Sequence, residues 1–225
     1  MGRPVADCDG RMLGVRITTK KMLDKLARLQ RVVAHKNEAR RVRAGIAPNG
    51  SLKDVPKSNG LRLAEQHLRK FYGYLARKRK DQAQKIACAL LDGADVVVFE
   101  NLDTKAMTST DRVDQSSIDR RRILDVGWAM IEAITTYKAQ WADKRIVRIN
   151  PAFTSQRCAR CQHVAPENRD GPRFHCVACG HKDHADTNAA INIRRLGVEW
   201  LAQEALARSL QETITGADGY AVPQM

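Results

Sequence analysis

Two closely spaced cysteine pairs constrain this chain more than any other feature of its sequence. Cys158 and Cys161 form one C-x-x-C pair, and Cys176 and Cys179 form a second pair, with fourteen residues between the two pairs. Two such pairs can bring four thiolates around one tetrahedral zinc ion at about 2.3 Å, and binding of the ion then stabilises a short segment with little core of its own. Residues 158–180 are therefore predicted to form a zinc ribbon whose ion is structural.

The residue after each cysteine pair bears on the geometry of the turn. Gly180 follows the second pair and suits the left-handed backbone that a tight turn often requires. Gln162 holds the equivalent place after the first pair, so we expect mild strain in that turn. Two alternatives, a redox-active pair and chance spacing, are also compatible with the cysteine pattern alone.

Positive charge is concentrated in the first third of the chain. The net charge is +14; residues 1–82 contain 21 Lys/Arg against 7 Asp/Glu, a difference of 14, whereas residues 83–225 hold 18 of each. A basic segment of this kind suits a polyanion such as RNA or DNA, and the run Arg77-Lys78-Arg79-Lys80 is the predicted contact. The alternative is that these charges only keep exposed helix faces solvated.

Hydropathy limits where the protein is expected to work. No run approaches the roughly 18–20 apolar residues that a membrane span needs, and the first residues lack the apolar region of a signal peptide. We therefore expect a cytoplasmic protein with no membrane partner. Six cysteines in that setting argue against a disulfide scaffold.

Hydrophobic periodicity and turn residues predict an α/β chain that begins with two basic helices. The predicted elements, in chain order, are a hairpin at 4–17 with Asp9-Gly10 as a type I′ turn, a helix capped by Thr18 or Thr19, a loop at 44–60, a helix at about 61–91, a strand at 96–100, a helix at about 121–143, a strand at 146–149 and a last helix from near Asp186. The two basic helices resemble a helical arm.

Apolar residues in three of these elements indicate which sides face the core. The continuous run Val96-Val97-Val98-Phe99 predicts a strand that is buried on both faces. The inward side of the helix at 121–143 is predicted to carry Leu124, Trp128, Ile131, Ile134 and Trp141, and that of the last helix Ala189, Ile193, Leu196 and Trp200.

Two acidic residues stand where α/β folds place functional groups. Glu100 ends the apolar strand, at the rim where such sheets bind ligands, although many strands simply end at a polar residue. Asp186 opens the last helix, where the alternative role is an N-cap. The order of strand-end glutamate, cysteine module and helix-start aspartate favours a functional role for both.

Three segments in this order resemble the TnpB (OrfB) family of transposon proteins, which is related to the compact type V CRISPR effectors. Val97-Val98-Phe99-Glu100-Asn101-Leu102-Asp103 resembles the family's RuvC-II strand, and Asn150-Pro151-Ala152-Phe153-Thr154-Ser155-Gln156 leads into the cysteine module in the same way. Asp186-Thr187-Asn188-Ala189-Ala190-Ile191-Asn192-Ile193 resembles the RuvC-III helix. The resemblance spans roughly residues 10–200.

The resemblance implies an RNase H-like fold and a DNA endonuclease guided by a transposon-derived RNA. In the family three carboxylates hold two Mg²⁺ ions, which activate the attacking water and stabilise the leaving oxygen. Glu100 and Asp186 match the second and third of these carboxylates. The implied partners are DNA and a guide RNA.

The first carboxylate of the family pattern has no clear match here. Asp7 and Asp9 are the only acidic candidates before the first helix, and too few residues follow them for the two strands that the fold requires next. We therefore interpret 4–17 as the second and third strands and expect the first strand, its aspartate and the family's N-terminal domain to be absent. Asp9 as a substitute ligand is the alternative to its role as a turn residue.

The prediction is an incomplete RNase H-like (RuvC) α/β domain with a basic helical arm and an inserted four-cysteine zinc ribbon. Its parts are a core at 1–157 with the arm at about 18–91, the ribbon at 158–180, a core helix at 181–210 and a disordered tail at 211–225. With two of three carboxylates the chain is expected to be inactive alone, and a partner chain is expected to complete the sheet. The alternatives are an RNA/DNA-binding remnant or accessory product without cleavage, and a zinc-stabilised interaction module.

Overall fold

A computed structural model describes residues 5–15, 17–103, 106–107 and 126–217, with side chains described through residue 212. The chain is a mixed α/β protein, as predicted. Its elements are β1 (Val5–Ala6), β2 (Met12–Leu13), α1 (Lys20–Arg43), α2 (Asn59–Leu91), β3 (Val96–Glu100), α3 (Trp128–Trp141), β4 (Arg145–Ile149), β5 (Arg169–Asp170), β6 (Arg173–His175), β7 (Lys182–His184) and α4 (Ala185–Ala217). In the described part of the chain no helix has the length and apolar composition that crossing a membrane would require.

The predicted hairpin forms, but its turn is of a different type. β1 and β2 pair antiparallel around a three-residue loop, with the N–H of Asp7 bonded to the carbonyl of Arg11 at 3.0 Å. A type I′ turn would need positive φ at both Asp9 and Gly10, yet only Gly10 is left-handed, at φ 80°. The turn prediction was therefore wrong, because a three-residue loop needs just one left-handed residue, at its end.

The two basic helices form as predicted, and both begin at capping side chains. Thr19 accepts a hydrogen bond from the N–H of Met22 at the start of α1, and Ser58 caps α2 in the same way. No residue of α1 is buried, so this helix lies along α2 as an arm. The C-terminal end of α2 instead joins the core, where Ala83, Ile86 and Ala87 pack against Val5, Ile131 and Ile134.

β3 and β4 are confirmed as strands and pair in parallel, with Val96 opposite Arg145 and Glu100 opposite Ile149. The expectation that β3 is buried on both faces was wrong. Only Val97 is buried, because β4 is the single strand that pairs with β3 among the described residues. β1 likewise pairs with β2 alone in the described part of the chain.

α3 packs its central residues inward, but its last residue faces solvent. Ile131 and Ile134 are buried as predicted, whereas Trp141 is 87% exposed and meets the ring edge of Tyr137. The small side chain of Ala139 provides the buried contact at this end of the helix, so Trp141 projects to the side. Leu124, which was also predicted to face inward, lies outside the described residues.

α4 is longer than predicted and buries a different face. It continues through Ala217, so residues 211–217 are helical where a disordered tail was expected, and 218–225 lie outside the described residues. Its buried residues are polar or small, namely Ala185, Asn188, Asn192 and Gly197. Ala189, Ile193 and Leu196 are only half-buried and Trp200 is 41% exposed, because α4 turns the neighbouring face towards β3 and the cysteine module.

Candidate metal centres

The four cysteines of the two pairs converge on one point. Their Sγ atoms all lie within 4.8 Å of one another, with 3.7 Å between Cys158 and Cys179 and 3.5 Å between Cys161 and Cys176. Four sulfurs about 2.3 Å from a tetrahedral zinc ion would be roughly 3.8 Å apart. The cluster is therefore compatible with zinc, and its sulfurs are too far apart for disulfide bonds.

Both cysteine pairs adopt the same turn, which explains their convergence. The N–H of Cys158 bonds to the carbonyl of His163, and that of Cys176 bonds to the carbonyl of His181, at 2.9 and 2.8 Å. The residue after each pair is left-handed, with φ 66° at Gln162 and 71° at Gly180. The expected strain at Gln162 is confirmed, since a side chain disfavours this conformation.

Electrostatics at the cluster favour thiolate at one cysteine. Burial raises the pKa of Cys176, but hydrogen bonds from the backbone N–H groups of Cys179 and Ala178 outweigh it and lower that pKa to about 6. Hydrogen bonding from the sulfur of Cys161 acts in the same direction. A thiolate is the form that binds metal.

A small buried network holds the module together beside the cysteines. Phe174 is 2% exposed and packs with Cys158 and Cys176. The Asn168 side chain, 1% exposed, donates to the carbonyls of Gln156 and His163 and accepts from the N–H of Val177. One asparagine thus joins both cysteine turns through satisfied hydrogen bonds.

Glu100 lies at the C-terminal end of β3, as predicted, and is partly buried. The hydroxyl of Thr154 donates a hydrogen bond to its carboxylate. Burial raises the pKa of Glu100 above its ordinary value, while the Thr154 hydrogen bond and the charge of Arg169 oppose the shift. A raised pKa at the end of a strand marks a carboxylate that lacks full solvation.

Asp186 lies in the first turn of α4 but does not cap the helix. The ring Nδ1 of His184 accepts the hydrogen bond from the N–H of Asp186 at 3.3 Å, so His184 takes the capping role and the N-cap alternative for Asp186 was wrong. The Asp186 carboxylate instead faces Arg169, whose Nη2 lies 3.0 Å from its Oδ1.

Arg169 brings the two carboxylates into one electrostatic environment. Its guanidinium bonds Asp186 directly and lowers the pKa of Glu100 through its charge. Arg169 comes from β5 of the cysteine module, Glu100 from β3 and Asp186 from α4, so three separate elements meet here. The role of Arg169 was not predicted, because a single exposed arginine carries no signal in the sequence.

Two buried asparagines of α4 fix the segment that enters the cysteine module. Asn188 accepts from the N–H of Ala159 and donates to the carbonyl of Arg157. Asn192, one turn later on the same face, donates to the carbonyls of Thr154 and Arg157. Both are fully buried, and both lie in the segment Asp186–Ile193, so the pattern was visible although their role was not predicted.

A cavity of about 510 Å³ lies between the β1–β2 hairpin and β3. Its walls include strand residues from both sheets and one face of α4, and its lining includes Val5, Ala6, Asp7, Val96, Val97, Val98, Phe99, Glu100, Ala190, Ile193 and Arg194. Asp186 precedes Ala190 by one helical turn, so it stands at the end of this face. Residues of β1 and β3, each of which pairs with a single strand in the described part of the chain, therefore line one cavity.

The two acidic residues of the hairpin serve the turn. Asp7 is 8% exposed, and its carboxylate accepts from the N–H groups of Asp9 and Arg11 and from the Arg11 guanidinium. The Asp9 side chain is 62% exposed in the loop. Asp9 thus occupies the turn position expected of it, and Asp7 has its oxygens engaged.

The predicted nucleic-acid contact lies on the arm. Arg77, Lys78 and Lys80 are exposed on α2, whereas Arg79 is half-buried. Lys78 lies over the ring of Tyr74, 5.6 Å from its centroid. None of these four residues lines the cavity beside Glu100.

Comparisons with known proteins found similar sequences and structures. Residues 128–193 match the family model described as Cas12f1-like, TNB domain. InsQ of Escherichia coli K12, named as an RNA-guided DNA endonuclease, is 29% identical over 195 residues, which cover 82% of this chain and 44% of InsQ. The CRISPR-associated endodeoxyribonuclease Cas12f1 of Sulfoacidibacillus thermotolerans is 39% identical over 71 residues, or 31% of this chain and 17% of that protein.

Among solved structures, the CRISPR-Cas12f ternary complex resembles this chain with a TM-score of 0.49 at 20% identity, over 77% of this chain and 32% of that one. Residues 128–193 thus resemble a Cas12f1-like TNB domain, and most of the chain resembles InsQ. The chain is also similar to TnpB-like proteins of Acanthamoeba polyphaga mimivirus, at 23% identity over 69% of this chain and 30% of those proteins. It spans less than half the length of InsQ.

Proposed function

We propose that this chain carries the metal-binding part of a TnpB-type, RNA-guided, Mg²⁺-dependent DNA endonuclease. The proposal rests on one observation: Glu100 and Asp186 come from different elements and share the guanidinium of Arg169 as a neighbour. Carboxylate oxygens are ligands that a hard divalent cation prefers, and such a cation would take the place of the guanidinium as the positive charge between them. The endonuclease name of InsQ is consistent with this chemistry.

Glu100 and Asp186 would hold magnesium through their carboxylate oxygens. Bound magnesium ions activate water and stabilise the leaving oxygen of a phosphodiester. Thr154 orients the Glu100 carboxylate through its hydroxyl, and burial of Glu100 keeps that carboxylate poorly solvated and receptive to a cation. Asp186 lies in the first turn of α4, where the positive end of the helix dipole favours its ionised carboxylate.

Zinc in the four-cysteine cluster would be structural. All four candidate ligands are cysteine sulfurs, which leaves no coordination position for a substrate or a water molecule. The spacing of the sulfurs and the lowered pKa of Cys176 fit this role. The ion would fix the module that carries Arg169 and thereby the positive charge beside the acidic pair.

The cavity between the two short sheets supports the RNase H-like topology and the need for a further strand. Among the described residues β1 and β3 each pair with one strand, and residues of both line the same cavity. We propose that an added strand pairs with both edges. A carboxylate on that strand would be the third magnesium ligand.

A second candidate function is binding of RNA or DNA without cleavage. It is favoured by the hairpin geometry, because the buried oxygens of Asp7 are engaged by Arg11 and by backbone N–H groups. Asp7 would have to give up these bonds to serve as a ligand. The chain alone would then bind nucleic acid and leave it intact.

A cleavage assay separates the two candidates. The 225-residue chain, mixed with a guide RNA, a matching DNA target and Mg²⁺, is expected not to cut. The same chain fused at its N-terminus to an aspartate-bearing strand is expected to cut, and the fused variants Glu100→Gln and Asp186→Asn are expected to lose that activity. Robust cleavage by the unfused chain that disappears in Glu100→Ala would contradict the need for a further strand. A fusion that folds and binds RNA but never cuts would support the second candidate.

A further inference from the structure

The two basic helices enclose a groove that the proposed catalytic site does not use. It has a volume of about 730 Å³ and lies between the start of α1 and the middle of α2. One wall is formed by residues of α1 spaced as one helical face, Met22, Lys25 and Leu29, and the other by residues of α2 spaced in the same way. The α2 residues are His67, Lys70, Phe71 and Tyr74.

The charge of the groove has one sign. Three lysines line it, Lys21, Lys25 and Lys70, together with His67, and none of the described residues that line it is acidic. A crevice that only reflected the packing of two helices would more often pair its lysines with carboxylates, as Lys57 and Glu65 pair at the start of α2. Unmatched lysines around a concave surface focus positive potential and attract a polyanion.

Aromatic rings lie between these lysines. Phe71 forms the floor at 8% exposure, and Tyr74 stands at the side at 38% exposure with its ring 6.0 Å from that of Phe71. Lys25 lies 5.2 Å above the centre of the Phe71 ring. An exposed ring flanked by cations offers a stacking surface for a base and charges for its phosphates.

We infer that this groove, from Lys21 and Lys25 on α1 to Lys70 and Tyr74 on α2, binds unpaired nucleotides of single-stranded RNA. The inference rests on the proposed function, which supplies an RNA partner, and adds the place and form in which that RNA is held. A duplex keeps its base faces stacked inside the helix and could offer the groove only its phosphates. An unpaired base can use Tyr74, and its neighbouring phosphates can reach the lysines.

The groove also leads to the basic run on the same helix. Tyr74 is one turn before Lys78, whose ammonium lies 5.6 Å from the Tyr74 ring centre. A strand that stacks on Tyr74 would therefore continue along α2 towards Arg77 and Lys80, both exposed. The groove supplies recognition of an unpaired base, and the run supplies further phosphate contacts.

Fluorescence anisotropy with a labelled RNA single strand of about 12 nucleotides tests this inference across a range of salt concentrations. Lys25→Gln with Lys70→Gln is expected to weaken binding and to flatten the plot of log affinity against log salt by about 1.4, since each single-strand phosphate contact contributes about 0.7. Tyr74→Leu is expected to weaken binding roughly tenfold with an unchanged slope. The control Lys53→Gln with Lys138→Gln removes the same charge outside the groove.

Three results are decisive for the groove. If the groove double variant and the control double variant lose RNA affinity equally, the inference is overturned, because net charge alone would then explain binding. The inference is also overturned if Tyr74→Leu binds RNA with unaltered affinity while its helical circular dichroism signal is retained. It is likewise overturned if the wild-type chain prefers duplex to single-stranded RNA. If the wild-type chain binds RNA but the groove variants bind equally well, the proposed function survives; if the wild-type chain shows no salt-dependent RNA binding, both fail.

Cross-linking gives a direct readout of contact. RNA that contains 4-thiouridine, irradiated in complex with the wild-type chain, is expected to attach to a peptide that includes Tyr74. The same peptide should lose the cross-link in the Lys25→Gln/Lys70→Gln variant. Attachment confined to the cysteine module at residues 158–180 would overturn the groove as the RNA contact while leaving an RNA partner in place.

Discussion

Gly197 of α4 allows the helix to approach β3 more closely than any side chain would permit. A Cβ built at this residue would lie 2.3 Å from Cγ2 of Val98, 2.8 Å from its Cγ1 and 3.1 Å from its Cβ. Rotation about χ1 of Val98 cannot relieve the overlap, because the Cβ of Val98 itself stays too near. Carbon atoms make favourable contact at about 3.5–4.0 Å, so Gly197→Ala would force strand and helix apart by roughly 1 Å.

The expected loss of stability follows from two opposing effects. Overpacking of this kind costs about 1–3 kcal/mol. Replacing glycine by alanine inside a helix recovers about 1 kcal/mol of helix propensity. Gly197→Ala should therefore lower the free energy of unfolding by up to about 2 kcal/mol, which in a chain of this length lowers the melting temperature by at most a few degrees.

Gly73 in the middle of α2 provides a matched control. A Cβ there would meet only the flexible guanidinium end of Arg77, at 3.4 Å. Gly73→Ala should raise the free energy of unfolding by about 1 kcal/mol, because propensity acts without a clash. In urea unfolding followed by circular dichroism, the double variant Val98→Ala/Gly197→Ala should be more stable than the sum of its single changes predicts. If Gly197→Ala stabilises the protein as much as Gly73→Ala does, the close-contact argument is refuted.

Three further predictions concern the sites. Purified protein should contain one zinc per chain by elemental analysis. Cys176→Ser should release this zinc and speed hydrogen exchange across residues 151–190. The control Cys88→Ser makes the same change at an exposed cysteine outside the cluster and should have neither effect. Changing the four residues of the run Arg77–Lys80 to glutamine should flatten the salt dependence of RNA affinity by about 2–3, and an unchanged slope would remove the run as a contact. In Mg²⁺-free buffer, the raised pKa of Glu100 means that the folded state holds this proton more tightly than the unfolded state, so stability falls as pH rises above the ordinary value near 4.5. Glu100→Gln should remove this fall and should therefore stabilise the protein at pH 7 but not near pH 4. If the variant and the wild-type chain melt at the same temperature at both pH values, the burial argument is contradicted.

Local chemistry made several elements predictable from the sequence. The cysteine turns depend on hydrogen bonds within six residues, and the helix starts at Thr19 and Ser58 depend on capping side chains one turn away. Such contacts are encoded in short segments. Long apolar patterns likewise predicted β3 and α2, since burial of one face requires the pattern that the sequence shows.

Tertiary packing decided what the sequence could not predict. Trp141 and Trp200 fit the apolar side of their helices by spacing, but neighbouring small residues provide the buried contacts and both rings are exposed. Glu100 and Asp186 could be selected as candidates, whereas their meeting with Arg169 depends on how the cysteine module is placed. A periodic pattern identifies a helix face, and the partner that covers this face comes from distant parts of the chain.

The same hydrogen bonds that join α4 to the cysteine module also determine the setting of Glu100. Asn192 donates to the carbonyl of Thr154, and the hydroxyl of Thr154 donates to Glu100, so the helix that carries Asp186 also positions the residue that orients the other carboxylate. Burying Asn192 is unfavourable unless its bonds are made, and its Oδ1 has no partner among the described residues. The unpaired oxygen is tolerated because the amide nitrogen of Asn192 donates hydrogen bonds to two carbonyls at the entrance to the module. Any change that loosens the module, including loss of a cysteine ligand, should therefore alter the pKa of Glu100 even though no cysteine touches it.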